Sequence, residues 1–280
     1  MNDRQQARFE QAELSSGIPF LAEPELTMLE RTIGAPNFRP AYWLEVGVQR
    51  AAAVCKLTIS NSQDYQGRAG SWAGTGFMVS EHILLTNHHV LNSPATAKNA
   101  VAIFNYEQHS DGSRVQTTEY RLNPDRLFLT SPLDGDEYGP GLDFTFVWIE
   151  GTPGQTFGVI PLLKNLPVVA VGEPANIIQH PQGHPKQIAV QENTVVGQTA
   201  STIRYTTDTE PGSSGACVMN NDWTPIALHH ASGSDGQPGT FYNEGITFAA
   251  IATRLEAISR DPSRGVAARE LLAVFQTATN

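Results

Sequence analysis

The amino-acid sequence predicts an all-β protein made of two successive groups of strands, with an appended segment before them and a helix after them. Between residues 51 and 249, short runs rich in Val, Ile, Phe and Thr alternate with Gly, Pro, Asn and Asp, which is the pattern of strands joined by turns. A stretch rich in Pro and Gly at residues 151–158 divides these runs into two groups of similar size. So many short strands are typical of antiparallel sheets and barrels.

The first 45 residues differ in composition from the rest of the chain. Glutamate and leucine residues there predict short helical pieces, which four prolines interrupt. We therefore expect this part to be an extension that lies outside the two groups of strands. The strands themselves are predicted at residues 54–59, 75–79, 83–86, 101–104, 126–130 and 144–149 in the first group, and at 168–171, 177–178, 187–190, 202–205, 216–219, 226–228 and 246–249 in the second.

A helical pattern begins where the second group of strands ends. Apolar residues recur there at spacings of three and four, first at Ile251, Leu255 and Ile258 and again from Val266 onward. We expect this helix to pack on the second group of strands. The predicted organisation is an N-terminal extension at residues 1–45, a first β region at 46–155, a second β region at 156–250 and a C-terminal helical segment at 251–280.

The charge balance disfavours several classes of partner. The chain carries 18 Lys and Arg residues against 28 Asp and Glu residues, a formal net charge of −10 that repels nucleic-acid backbones and anionic lipid. No apolar run approaches the roughly 18 to 20 residues of a membrane-spanning helix, and the N-terminus lacks the apolar core of a secretory signal. We therefore predict a cytoplasmic protein with no nucleic-acid or membrane partner, in which Cys55 and Cys217 are reduced thiols.

Common motifs of metal and nucleotide chemistry are absent from the sequence. It contains no Cys-x-x-Cys, no His-Glu-x-x-His, no Gly-x-x-x-x-Gly-Lys-Ser/Thr and no Gly-x-Ser-x-Gly. His180 and His184 have the spacing of a helical metal pair, but the prolines and the glycine around them are incompatible with a helix. We predict that the protein uses no metal and no cofactor.

A serine and two possible partners are the strongest chemical signal. Ser214 lies in a Gly-Ser-Ser-Gly turn, which is expected to place backbone N–H groups beside the hydroxyl. A serine hydroxyl needs a base, and the base needs a third group to hold its tautomer. His89, at the end of a predicted hairpin, is the candidate base, and Asp143, at the start of a predicted strand, is the candidate acid. The order His, Asp, Ser is that of chymotrypsin and differs from the orders in the two other common triad folds.

The motifs around these residues resemble those of the trypsin-like serine proteases with the chymotrypsin fold. The residues that carry the resemblance are Gly74-Thr-Gly-Phe, Thr86-Asn-His-His89-Val, Asp143-Phe-Thr-Phe and Gly212-Ser-Ser214-Gly. The most similar branch is that of the bacterial glutamyl endopeptidases and Deg-type proteases, whose active histidine also follows Thr-Asn-x. The resemblance covers residues 50–255 and implies two six-stranded antiparallel β-barrels with the active-site cleft between them.

The resemblance also implies the roles of individual residues. Ser214 would attack the scissile carbonyl, His89 would carry the proton from Ser214 to the leaving amine, and Asp143 would hold the imidazole. The N–H groups of Gly212 and Ser214 would form the oxyanion hole. The neighbouring His88 falls at the variable position of the motif and is expected to take no part.

The expected specificity pocket carries two conflicting signals. Asp208, six residues before Ser214, occupies the position at the base of the pocket that favours Arg or Lys in trypsin-like enzymes. Thr209 and His229 match instead the residues with which glutamyl endopeptidases hold an acidic side chain. A buried carboxylate without a partner is costly, so we expect a preference for Arg or Lys before the scissile bond, with Glu or Asp as the alternative.

The leading hypothesis is a serine endopeptidase that cleaves protein or peptide substrates through an acyl-enzyme intermediate. Ser213 stands where chymotrypsin-like zymogens carry the aspartate that captures a new N-terminus. We therefore expect latency to depend on residues 1–45, with an upstream protease or a regulator as partner. The alternatives are a non-catalytic β-barrel scaffold that binds peptides along an exposed strand edge, and an esterase with the same triad.

Overall fold

The computed structural model describes residues 38–164, 169–236 and 239–276. From Ala41 onward the chain forms one compact unit. The helical pieces predicted within residues 1–37 lie outside the described residues. The unit is mostly β and contains two seven-stranded antiparallel sheets, with helices before, between and after them in the chain.

The first sheet is built from the first half of the unit. Its elements are α1 (Tyr42–Ala52), β1 (Val54–Gln63), β2 (Ala69–Met78), β3 (Ile83–Thr86), α2 (Pro94–Lys98), β4 (Ala100–Phe104), β5 (Thr118–Arg121), β6 (Phe128–Ser131) and β7 (Phe144–Trp148). The strand order across the sheet is β5-β4-β1-β2-β3-β7-β6, so that β3 and β7 are antiparallel neighbours. This pairing brings the residues just after β3 and just before β7 to the same end of the sheet.

The second sheet follows a one-turn helix in the Pro- and Gly-rich stretch. The elements are α3 (Pro153–Phe157), β8 (Leu162–Leu163), β9 (Asn176–Gln179), a 3₁₀ turn (Pro181–Gly183), β10 (Gln187–Ala189), β11 (Val195–Gln198), β12 (Thr202–Tyr205), β13 (Cys217–Met219), β14 (Pro225–Ser234), β15 (Phe241–Thr247), α4 (Phe248–Ile258), α5 (Gly265–Leu272) and β16 (Phe275–Gln276). The strand order is β10-β9-β13-β14-β15-β12-β11. Outside this sheet, β16 pairs in parallel with β8.

A shared apolar core joins the two sheets. Phe77 and Phe146 of the first sheet belong to the same buried cluster as Leu228 of the second sheet and Ile251 and Leu255 of α4. Each such side chain contributes roughly 1.5 to 3 kcal/mol when it is removed from water, so the cluster stabilises the association of the sheets. The helix predicted at the C-terminal end is therefore present, and it packs on both sheets.

The C-terminal helix also fixes the loop that leads to β7. Arg254 of α4 is buried, donates to Ser131 Oγ at 3.0 Å, pairs with Asp136 Oδ1 at 2.9 Å and contacts the carbonyl oxygen of Pro140. A buried charge is retained where it is paired and hydrogen-bonded, as it is here. Because these three partners precede Asp143 in the chain, Arg254 orders the segment that ends at the candidate acid.

Helix α1 is attached to the second sheet. The indole N–H of Trp43 donates to the carbonyl of Asn221 at 2.7 Å, and that of Trp223 donates to the carbonyl of Trp43 at 2.9 Å. The two indole rings are 4.8 Å apart, and Arg50 Nε donates to the Trp223 carbonyl at 3.3 Å. The compact unit therefore includes residues 41–45, which the sequence assigns to the extension.

The strand count differs from the expectation. Each sheet has seven strands where the resemblance implies six, and β5 and β11 have no counterpart among the predicted runs. Both are edge strands with several exposed residues, so their sequences carry no continuous apolar run. The run predicted at residues 168–171 is not a strand in its described part, because the N–H of Glu173 closes a turn onto the carbonyl of Ala170 at 3.1 Å.

Candidate active site

The pairing of β3 with β7 places His89 beside Asp143. His89 follows β3 by three residues, and Asp143 is the residue just before β7. His89 Nδ1 lies 2.7 Å from Asp143 Oδ2, and the backbone N–H of His89 donates to Asp143 Oδ1 at 2.9 Å. The amide of Asn87 donates to the Asp143 carbonyl at 2.8 Å. The carboxylate of Asp143 thus holds both the ring and the backbone of His89. The side-chain amide of Asn87 holds the backbone of Asp143 in turn.

Asp143 is buried and has an unusual backbone conformation. It is fully buried, and its φ of +43° lies in the left-handed region, which Asp enters more readily than most residues. Burial alone would raise the pKa of Asp143, but its contacts with His230 and His89 outweigh burial and lower the pKa to about 2. The group is therefore a carboxylate at neutral pH, as a partner for the Nδ1–H of a histidine must be.

The first sheet also holds the loop that carries Ser214. The N–H of Thr75 in β2 donates to the Ser214 carbonyl at 2.9 Å, and its hydroxyl donates to the Gly212 carbonyl at 2.8 Å. Thr86, at the end of β3, in turn donates its hydroxyl to the Thr75 carbonyl at 2.8 Å. A Cβ at position 215 would clash with the Thr75 carbonyl oxygen, which explains why Gly215 is a glycine with a φ of +87°. The turn therefore rests directly on the first sheet.

Two backbone N–H groups of this turn remain available. The carbonyl of Pro211 accepts from the N–H of Gln182 at 2.6 Å, and the N–H of a trans peptide points opposite to its carbonyl, so the N–H of Gly212 faces away from Gln182. A Cβ on Gly212 would lie 2.6 Å from the His180 carbonyl, so the residue must be a glycine. Within the described part of the chain, neither Gly212 nor Ser214 donates its N–H to another group. These are the two donors that the sequence nominates for an oxyanion hole.

The Ser214 hydroxyl is not hydrogen-bonded to the candidate base. Among residues 38–164, 169–236 and 239–276, it makes no hydrogen bond to the His89 imidazole, whose described hydrogen bond joins Nδ1 to Asp143 Oδ2. The ring of Tyr65 stands edge-on to His89, with centroids 6.1 Å apart. In the absence of substrate, hydrogen bonds between a serine nucleophile and its base are often long, and they tighten in the substrate complex. The structure thus shows the candidate acid and base already hydrogen-bonded, and the candidate nucleophile on a separate turn.

A cavity of about 260 Å³ adjoins Ser214. Its lining residues are Thr209, Glu210, Pro211, Ser214, His229, His230, Ala231, Ser232 and Asn243. His229 is 4% exposed, and its Nδ1 lies 2.8 Å from the hydroxyl of Tyr205. Burial, with the nearby charges of His230 and His89, lowers the pKa of His229 to about 3, and burial raises the pKa of Tyr205 well above its usual range. His229 is therefore a neutral ring at neutral pH, and Tyr205 beside it is a protonated phenol.

The expected position of Asp208 at the base of this cavity is not observed. Asp208 is exposed, its carbonyl accepts from Gln179 Nε2 at 2.9 Å, and it is absent from the described residues that line the cavity. Thr209 and His229, the other two candidates, do line it. The residues of the second signal in the sequence therefore lie at the cavity, and Asp208, which carries the first signal, does not.

The other histidines singled out by sequence lie apart from this chemistry. His88 is partly buried, and its Nδ1 is 2.8 Å from the hydroxyl of Thr130. His180 Nδ1 is 3.0 Å from the carbonyl of His184, which is a contact within one turn. In the part of the chain that the structure describes, no group of three or more His, Cys, Asp or Glu side chains could hold a metal ion.

His230 belongs to the site although the sequence did not nominate it. Its Nδ1 lies 3.4 Å from Asp143 Oδ2, and its Nε2 lies 3.3 Å from Glu244 Oε1. Successive side chains of a regular strand point to opposite faces, so His229 and His230 would be expected to diverge. A bulge in β14 between His229 and Ala231 changes this alternation, and both histidines line the cavity. A bulge leaves no clear mark in a single sequence, so only the adjacency of the two histidines could have drawn attention to His230.

Residues 74–228 match the family model described as the trypsin-like peptidase domain. Together with the His89–Asp143 pair and the glycine-rich turn at Ser214, this match defines the class of protein. The chain belongs to the trypsin-like peptidase family, as its motifs predict.

Two curated relatives cover most of the chain. It is 36% identical to the uncharacterized protein y4fB of Sinorhizobium fredii over 75% of the chain and 32% of the relative. It is 28% identical to the secreted RxLR effector protein 73 of Plasmopara viticola over 73% of the chain and 52% of the relative. The chain thus spans between about a third and about half of the length of these relatives.

Solved structures confirm the fold class. A Glu endopeptidase determined in complex with MPD superposes with a TM-score of 0.52 at 17% identity, over 75% of this chain and 90% of that one. The inactive form of a mutant of Rv3671c from M. tuberculosis superposes with a TM-score of 0.50 at 14% identity, over 80% and 97% of the two chains. The protein therefore has the chymotrypsin-like fold. No helix among the described residues has the length and apolar content needed to cross a membrane.

Proposed function

We propose that the protein is a serine endopeptidase in which Ser214, His89 and Asp143 carry out peptide hydrolysis. The observation that carries this proposal is the His89–Asp143 pair, bonded at 2.7 Å through Nδ1, which leaves Nε2 of the ring as the proton acceptor. The turn that bears Ser214 adds two free N–H groups, from Gly212 and Ser214 itself. These are the acid, base, nucleophile and oxyanion donors that acyl transfer requires.

The proposed reaction has two stages. The Ser214 oxygen bonds to the scissile carbonyl carbon as its proton passes to His89 Nε2, and the resulting oxyanion accepts from the N–H groups of Gly212 and Ser214. The carbon–nitrogen bond then breaks, and the leaving amine takes the proton from His89. Water repeats the sequence on the acyl-enzyme and releases Ser214. Asp143 stays ionised throughout and keeps the Nδ1–H of His89 directed toward itself.

We further propose that the substrate residue before the scissile bond is Glu or Asp. The hydroxyl of Tyr205 lies 2.8 Å from Nδ1 of the neutral His229, and in the tautomer in which Tyr205 donates to Nδ1, the Nε2–H of that ring is a donor for a substrate carboxylate. Thr209 and Asn243 add polar groups to the same cavity, and Asp208 lies outside it. Among the described residues that line the cavity, the one carboxylate for an Arg or Lys side chain is that of Glu210, which is exposed and so is a weak partner in water.

Cleavage of a peptide library by the full chain tests both proposals. We expect hydrolysis after Glu and Asp in preference to Lys and Arg, abolished in Ser214→Ala. Ser234→Ala, which removes an exposed hydroxyl near the end of β14, is the matched control and should cleave normally. Cleavage after Lys and Arg would contradict the acidic preference, and cleavage that survives Ser214→Ala would contradict the serine mechanism. A peptide-binding scaffold would bind the library without cleaving it, and an esterase would hydrolyse small esters alone.

We also propose that the segment before the compact unit restrains the enzyme. Ser213 cannot form the ion pair that activates chymotrypsin-like zymogens, because it has no charge, and its hydroxyl accepts instead from the N–H of Glu210 at 3.1 Å. The test is removal of residues 1–40. Removing residues 1–45 would also delete Trp43, which bonds to the second sheet. Faster cleavage by the truncated chain is expected, and an unchanged rate with unchanged folding would refute the restraint.

A further inference from the structure

The carboxylate of Asp143 is contacted by two histidines, one from each sheet. His89, which follows β3, approaches Oδ2 at 2.7 Å, and His230 of β14 approaches the same oxygen at 3.4 Å. At that distance the second contact is an ion pair rather than a well-aligned hydrogen bond. We propose that His230 is a positioning residue of the site, a cation that ties Asp143 of the first sheet to the second sheet and so fixes the geometry of His89. This inference rests on the proposed serine peptidase activity.

The surroundings of His230 favour its charged form. Two carboxylates face it, Asp143 from the start of β7 and Glu244 from β15. The other ionisable groups nearby are the rings of His89 and His229. Burial alone would lower the pKa of His230, but the two carboxylates outweigh burial and raise the pKa to about 9. A ring with both nitrogens protonated can serve both carboxylates, whereas a neutral ring has one N–H and can serve one.

Glu244, which contacts Nε2 of His230, is itself held in place by Arg204. Glu244 accepts from Arg204 Nε at 3.0 Å, and Arg204 also lies 3.4 Å from Asp235. The contact with His230 is the largest cause that lowers the pKa of Glu244, and together with Arg204 it outweighs burial and brings the pKa to about 2. Arg204 belongs to β12, Glu244 to β15 and His230 to β14, which are three strands of the second sheet. A chain of alternating charges therefore runs from the surface of the second sheet to the carboxylate that orients the base.

The position of Ser214 relative to His89 depends on the contacts between the two sheets. Ser214 belongs to the second-sheet side of the site, and Asp143 to the first, so the distance between His89 and Ser214 depends on how the two sheets are held together there. Thr75 provides one link, from β2 to the Ser214 turn. The His230–Asp143 ion pair provides another at the acid end of the site. Loss of the His230 cation would leave the buried Asp143 with His89 as its one ion-pair candidate among the described residues, and should loosen the orientation of that ring.

The experiment compares His230→Asn, His230→Gln and His230→Ala in the full chain. The amide nitrogen of Asn can replace Nδ1 toward Asp143, that of Gln can replace Nε2 toward Glu244, and Ala replaces neither. The readout is the rate at which a fluorophosphonate labels Ser214 between pH 6 and pH 10. We expect losses of about ten- to a hundredfold for Gln and Ala, as for other groups that orient an active residue from behind, and a smaller loss for Asn. The rate for the wild-type protein should fall as the pH rises through about 9, and this fall should be absent from all three variants.

Variants that fold like the wild-type protein, label at its rate and keep the alkaline fall would overturn the inference. If the variants do not fold, Glu244→Gln gives the answer, since loss of that carboxylate lowers the pKa of His230 and should move the alkaline fall to lower pH. An unmoved fall in Glu244→Gln would also overturn the role of His230. Absence of labelling in the wild-type protein itself would contradict the proposed peptidase activity instead. In that case NMR titration of the histidine rings still tests the charge, and a His230 that titrates below pH 7 would refute it.

Discussion

Each half of the fold carries a pair of adjacent histidines of which at least one belongs to the site, His88 and His89 after β3 and His229 and His230 in β14. In the first pair, one ring bonds to a carboxylate and the other to a threonine hydroxyl. In the second pair, one ring is buried neutral against Tyr205 and the other is a cation between two carboxylates. The four rings of two identical His-His dipeptides thus lie in four different environments. The chemistry of each ring is set by its partner across the fold and not by its neighbour in the chain.

The largest expected effect separates the two histidines of the first pair. His89→Gln should lower the rate of peptide cleavage by about a millionfold, the loss known for removal of the base in such sites. His88→Gln should cleave at close to the wild-type rate, because His88 contacts Thr130 and not the reacting groups. Steady-state kinetics on a Glu-containing peptide measures both. Equal losses in the two variants would mean that the assignment of the base is wrong.

A second prediction separates the two aspartates that the sequence nominates. Asp143→Asn should reduce the rate by about 10⁴-fold, because an amide cannot hold the required tautomer of His89. Asp208→Asn should leave both the rate and the preference for acidic residues unchanged, because Asp208 lies outside the cavity. The same kinetics on matched Glu and Lys peptides is the measurement. A switch of preference in Asp208→Asn would restore the trypsin-like reading of the pocket.

A third prediction concerns the stability that the second pair provides. The pKa of His230 rises from 6.5 to about 9 on folding, so its contribution is complete below about pH 6.5 and is lost as the pH rises through about 9. The contribution is at most on the order of 3 kcal/mol. Urea unfolding at pH 6.5 and pH 10 should show this loss in the wild-type protein and not in His230→Asn. An equal loss in both proteins would assign the pH dependence to other groups.

The smallest expected effect concerns the link from the first sheet to the Ser214 turn. Thr75→Val removes the hydroxyl that donates to Gly212, leaves that carbonyl without its described partner, and should cost about 1 to 3 kcal/mol of stability. Thr75→Ser keeps the hydroxyl and is the control. The measurements are the thermal unfolding temperature and the rate of labelling at Ser214. A change in labelling without a change in unfolding temperature would indicate a local effect on the turn, and a change in both would indicate a global effect on stability. Unchanged stability in Thr75→Val would show that the turn is held by its glycines alone.

The sequence was a good guide to whatever depends on local pattern. Strand β3 and strand β12 lie at the predicted residues, and the predicted helix after the strands is present as α4. The pairing of His89 with Asp143 could be anticipated because motif and chain order together define that template. Strands β5 and β11 could not, since edge strands with exposed polar residues have no distinguishing pattern.

Other parts of the site depend on backbone geometry that a single sequence does not reveal. The bulge beside His230 changes the alternation of side chains in β14, and Thr209 lines the cavity whereas the adjacent Asp208 does not. In both cases a difference of one residue decides which group lies at the site. Counting residues from Ser214 nominated both Asp208 and Thr209 and could not choose between them.

Activation of Ser214 by His89, a base held from the first sheet, can be tested directly. The most direct measurement is peptide mapping of the full chain after reaction with a fluorophosphonate, carried out on the wild-type protein, Ser214→Ala and Asp143→Asn. We expect one adduct per chain, located on Ser214, absent in Ser214→Ala and formed far more slowly in Asp143→Asn. An adduct on another serine, or labelling of Ser214 at the same rate in Asp143→Asn, would contradict it.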